Sequence, residues 1–128
     1  MVPHMENIVQ PCHNVSLLSA ETAIASLNDL DYLGGIVARI VASRDELAAN
    51  LREIPGVGPY PSATNFLLVE LPVEDAGPVV AELAERGILV RHFANPALGL
   101  ASCLRVTIGF PEENERFLNE LADILENQ

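Results

Sequence analysis

Apolar residues recur at helical spacing near both ends of the chain and cluster at strand density in between. Ser16 and Ser19 can each cap a helix, behind which Leu17, Ala20, Ile24 and Leu27 fall on one face. Asn28-Asp29 offers a second cap for a much longer helix. Its stripe is Leu30, Leu33, Val37, Ile40, Val41, Leu47, Leu51 and Ile54, opposed by Asp31, Arg39, Asp45, Glu46, Asn50 and Glu53. Gly34-Gly35 predicts a bend or frayed turn near its start. Arg44 is the one charge within the stripe, and its stem can lie on apolar surface while the head reaches water.

Pro55-Gly56 stops that helix, and the two prolines of Val57–Pro61 restrict this segment to an edge or irregular extended piece. Residues 65–71 are almost continuously apolar, which predicts a strand covered on both sides or packed deep under helices. Pro72 ends it. Asp75 can cap a helix carrying Val79, Val80, Leu83 and Ala84, closed by Gly87. Strands are expected over 88–93 and 103–109, joined by a loop with Asn95-Pro96 and Gly99 and able to pair antiparallel. A last helix starts at Pro111, sets Glu112 and Glu113 against its dipole, and buries Phe117, Leu118, Leu121, Ile124 and Leu125. The order predicts an α+β fold: a small mixed or antiparallel sheet with helices packed mainly on one face, preceded by a long N-terminal helix. A right-handed parallel crossover between 65–71 and 88–93 is permitted, while pairing order stays open.

Two arginines interrupt this apolar pattern. Arg105 lies inside Cys103–Gly109, and fourteen residues earlier Arg91 ends an apolar run. A guanidinium is costly to bury unpaired, so two readings stand: an anion site, or structural ion pairs at strand ends. The 128 residues suffice for one domain with its own core, and residues 1–6 read as a tag-like leader preceding a domain over 7–128. No apolar run approaches the ~20 residues of a membrane span. A net charge of −11 disfavours nucleic acid and anionic lipid as partners, which leaves small molecules and proteins. Cys12 and Cys103 predict no disulfide and fit a reducing cytoplasm. Cys12-His13 lacks the spacing that lets two side chains reach one metal ion, so no metal site is expected. All seven basic residues are arginine, and the chain has no lysine.

Ile54–Val57 with Pro61–Phe66, Glu85–Arg91, Cys103–Gly109 and Pro111–Asn114 together closely resemble the C-terminal small domain of histidinol-phosphate aminotransferases. These are fold-type-I enzymes that depend on pyridoxal phosphate. The resemblance implies amino-group transfer in histidine biosynthesis, with the cofactor and its Schiff-base lysine on a large domain preceding this one. A chain without lysine is then expected to hold no cofactor alone and to be inactive in isolation. The resemblance assigns Arg105 and Arg91 to the substrate's carboxylate or phosphate, with Asn65 as support. It also implies the missing large domain as a partner, against which the first helix would lie, and exposed apolar residues there suggest a homodimer. The alternative reading is a free-standing amino-acid-binding regulatory module.

Overall fold

The computed structural model describes residues 15–127. The proposed leader and the Cys12-His13 pair lie outside the described residues. The chain divides into two compact units, Met1–Val37 and Ala38–Gln128.

Helix α1 spans Leu17–Leu27, and the Ser16 hydroxyl accepts the Ser19 N–H at 3.1 Å, satisfying a donor that the first turn leaves free. None of its residues is buried. Helix α2 spans Leu30–Glu53, and Asp29 Oδ1 accepts from Tyr32 N at 3.2 Å. The expected apolar stripe is buried in one part alone: Leu47, Ala48 and Leu51 are buried, whereas Leu30, Val37 and Val41 are exposed. Periodicity reports which face of a helix can be covered, and the second half of α2 is the part with a sheet to cover it.

Four strands follow in the spatial order β1-β2-β4-β3, with every pairing antiparallel. They are β1 (Gly58–Pro59), β2 (Phe66–Glu70), β3 (Arg91–His92) and β4 (Cys103–Thr107). Helix α3 (Gly77–Glu85) joins β2 to β3, and α4 (Pro111–Glu126) ends the chain. Because β2 and β3 both run antiparallel to β4, they are parallel to each other, with β4 inserted between them. Phe66 to Glu70 pair in order with Thr107 to Cys103, and Arg91 and His92 with Arg105 and Leu104. As expected, Gly58-Pro59 is an edge, where a proline costs no ladder hydrogen bond.

The strand expected over 88–93 is only two residues long, because Ile88 has another task. Its N–H bonds Leu83 O at 2.8 Å while Gly87, at φ 80°, bonds Ala84 O at 2.9 Å. This pair of bonds closes the end of α3, consuming the backbone that would have begun the strand. Asp75 lies one residue before the cap position and receives Gly77 N–H at 2.8 Å. At the start of α4, Glu113 Oε2 reaches back to the Phe110 N–H at 2.8 Å, and Pro111 fills the first turn.

Helices pack on one side of the sheet. Leu67 and Val69 of β2 and Leu104 and Val106 of β4 meet Leu47 and Leu51 of α2, Val79 and Leu83 of α3, and Phe117, Leu121 and Ile124 of α4 in one buried cluster. The other side carries no helix of the Ala38–Gln128 unit, so of the two expectations for 65–71 the strand packs under helices on one face, with alternation in place of double-sided cover: Leu67 and Val69 are buried, Phe66 and Leu68 half-buried. No helix among the described residues is long and apolar enough to cross a membrane.

Candidate functional site

The strand period of two sends Arg105 to the open face, since its neighbours Leu104 and Val106 occupy the core. Arg91 stands directly opposite it as its β3 partner and shares that face. Two like charges at opposed positions, roughly 4.5–5.5 Å apart at Cα, disfavour the pairing. Among the described residues neither guanidinium makes an ion pair or a side-chain hydrogen bond. The structural ion-pair reading therefore finds no partner there.

Arg105 is held from below. Its guanidinium carbon lies 4.9 Å from the centre of the Phe66 ring, and Phe66 occupies the diagonal position on β2. Stacking positions the planar fork while leaving its N–H edge free to receive an anion. The Arg105 Nε is buried and has no hydrogen-bond partner among the described residues, a donor whose desolvation they leave uncompensated. Arg91 is exposed and lies 5.8 Å from the Phe93 ring centre. Phe66 draws no attention as an apolar residue in an apolar run, and its place under Arg105 follows only once the β2–β4 register is known.

Asn65 does not join this pair. It precedes β2 in the parity of Leu67 rather than Phe66, is exposed, and its carbonyl accepts the Ile108 N–H at 2.9 Å, extending the ladder. The adjoining turn is built by hydroxyls: Ser62 Oγ donates to Phe66 O at 2.7 Å and accepts Thr64 N–H at 3.0 Å. Arg44, the charge within the α2 stripe, is bound by Asp45 at 2.9 Å and reaches toward Thr64 O.

The far end of the open face carries Glu70, Cys103 and Tyr60. Glu70 pairs with Cys103, a buried free thiol. The Tyr60 hydroxyl donates to Glu70 Oε2 at 2.8 Å, and this hydrogen bond, with the charge of the same carboxylate, holds the phenol above its ordinary pKa of 10.0. His92 points to the helix side, where its Nε2 lies 3.0 Å from Ala101 O and 3.2 Å from Asp75 Oδ1. A carbonyl oxygen can only accept, so Nε2 carries the proton. No cluster of potential metal ligands occurs among the described residues.

The described residues thus set two opposed arginines, neither in an ion pair among them, beside an aromatic ring on one sheet face. The family model for aminotransferase class I and II matches residues 1–121, and the chain belongs to this family. The histidinol-phosphate aminotransferase of Roseiflexus castenholzii is 42% identical over 127 residues, covering 97% of this chain and 33% of that protein. Histidinol-phosphate aminotransferase 1 of Ralstonia nicotianae is 40% identical over 93% of this chain and 31% of its own length. The structure of histidinol-phosphate aminotransferase from Sinorhizobium meliloti in complex with pyridoxal-5'-phosphate superimposes with a TM-score of 0.77 at 26% identity, over 97% of this chain and 34% of that one. The chain thus spans about a third of the length of the relatives it matches.

Proposed function

We propose that this chain is the C-terminal small domain of a histidinol-phosphate aminotransferase-like enzyme and supplies the arginines that hold the anionic groups of the substrate. The observation that carries this reading is the opposed pair Arg91 and Arg105, neither in an ion pair among the described residues, on the sheet face that carries no helix of the Ala38–Gln128 unit. A guanidinium offers two parallel N–H donors to a carboxylate or phosphate, a geometry that a lysine amine does not reproduce. An anion between the two arginines would also relieve their mutual repulsion. Arg105 is the firmer of the two, being stacked and half-buried, whereas Arg91 sits exposed on a two-residue edge strand.

The chain's own residues do not fit pyridoxal phosphate as a covalently anchored cofactor. Anchoring its aldehyde to a side chain needs the amine of a lysine, and the sequence contains none. In this reading the cofactor belongs to the large domain, and residues 15–127 bind and orient substrate without transferring the amino group themselves. The setting is cytoplasmic histidine biosynthesis. Association into a dimer completes the reading, supported by the uncovered apolar residues of α1.

The test is anion-dependent stabilisation. Sulfate should raise the melting temperature of the chain, and Arg105→Ala should remove that rise. Ligand linkage gives about 1 kcal/mol at roughly five times Kd, enough to resolve by thermal shift. An equal shift in wild type and variant would take Arg105 out of the site.

A further inference from the structure

By register, Glu70 is the carboxylate on the open face closest to Arg105. It stands opposite Cys103, two residues along β4 from the arginine, and long side chains can meet across this diagonal. An ion pair between them would be the ordinary outcome on a strand pair. It does not form: Glu70 Oε2 instead accepts the Tyr60 hydroxyl, and among the described residues Arg105 Nε has no partner. Tyr60 is placed for this by the edge of the sheet, where its N–H bonds Leu68 O at 2.9 Å and continues the β1–β2 ladder.

We propose that Tyr60 is a positioning residue for the anion site: its hydroxyl engages Glu70 and withholds that carboxylate from Arg105, leaving the guanidinium available to a small carboxylate or phosphate ester. This inference rests on the anion-binding role of Arg105. A carboxylate tethered within side-chain reach competes with a free anion at an effective concentration of roughly millimolar or higher, so an unrestrained Glu70 would act as a built-in inhibitor. The hydroxyl–carboxylate bond is charge-assisted and lies on the β1 side of β2, at the sheet edge opposite Arg91, so it draws Glu70 toward β1 rather than toward β4, which carries Arg105.

Sulfate serves as the probe, titrated into the full chain and followed by the NMR signal of the Arg105 Nε–H. Wild type should show a saturable shift that Arg105→Ala abolishes. Tyr60→Phe keeps the ring and loses the hydroxyl, and it should weaken sulfate binding about threefold, the scale of a partly exposed ion pair. Tyr60→Phe combined with Glu70→Gln should recover the wild-type affinity, which a purely structural role for Tyr60 would not produce. A crystal structure of Tyr60→Phe gives a second readout that needs no ligand, with the Glu70 carboxylate expected against Arg105. Absence of Arg105-dependent sulfate binding in wild type would remove the anion reading, and the variant's crystal structure would still decide the role of Tyr60. Unchanged affinity in Tyr60→Phe, or a loss that Glu70→Gln does not recover, would overturn the proposal.

Discussion

Asn114 is a polar side chain buried in the core, and its amide is fully committed. Its Oδ1 accepts Gly109 N–H at 3.0 Å, while Nδ2 donates to Ser43 Oγ at 2.9 Å and to Gly109 O at 3.3 Å. One residue thereby ties the end of β4 to α2 and α4. Asn114→Leu should cost about 2–3 kcal/mol, read as a lower urea midpoint, because it strands the Gly109 peptide without partners. Tyr60 supports a pH prediction. Since Glu70 raises its pKa, the stability it contributes is fully present below the ordinary phenol value of 10.0 and is lost as pH rises through the higher folded value. Tyrosinate absorbance of Tyr32→Phe, which leaves Tyr60 as the sole tyrosine, should reach its midpoint above pH 10.0; a midpoint at or below that would contradict the bond. Arg105 was legible in the sequence because a charge inside an apolar strand demands a partner. Its opposition to Arg91, its stack on Phe66 and the occupation of Glu70 were not, since each depends on register, and register is set by pairings between segments distant in sequence.

At the level of elements, the helices and the two longer strands follow the hydrophobic period closely, and the misses share a cause. Ile88 was drawn into capping α3, and the first half of the α2 stripe has nothing among the described residues that buries it. Periodicity shows where cover is possible, whereas cover itself depends on what else is folded nearby. The turn after α2 shows how local geometry can be more demanding than pattern. Gly56 has φ 78°, and a Cβ there would lie 2.7 Å from Pro72 Cβ, so Gly56→Ala should destabilise by about 2 kcal/mol in chemical denaturation. By contrast Gly34 lies inside α2 with nothing within 4 Å of an added Cβ, and Gly34→Ala should raise helicity by circular dichroism, worth about 1 kcal/mol of propensity.

For the whole molecule, covalent chemistry and association give the sharpest expectations. Mixed with pyridoxal phosphate and reduced with borohydride, the chain should carry no adduct on any side chain by peptide mass mapping, because no lysine is present. An adduct on a side chain would contradict the assignment of the anchoring lysine to another domain. Helix α1 exposes Leu17 at 79% and Leu18 at 78%, with Ile24 and Leu27 also exposed, and carries Glu21 as its lone charge in a chain of net charge −11. Sedimentation at micromolar concentration should find a dimer that Leu17→Glu and Ile24→Glu shift toward monomer; a wild-type monomer indifferent to both charges would count against association through this face. The sheet order has a consequence for synthesis. Because β4 lies between β2 and β3 yet comes last of the strands, a growing polypeptide displays β2 and β3 with no hydrogen-bonding neighbour between them until residues 103–107 have left the ribosome. Vectorial translation therefore lets only the β1–β2 pair form early: the rest of the sheet must wait for one late strand, which leaves nascent chains halted before Cys103 open to chaperones and proteases.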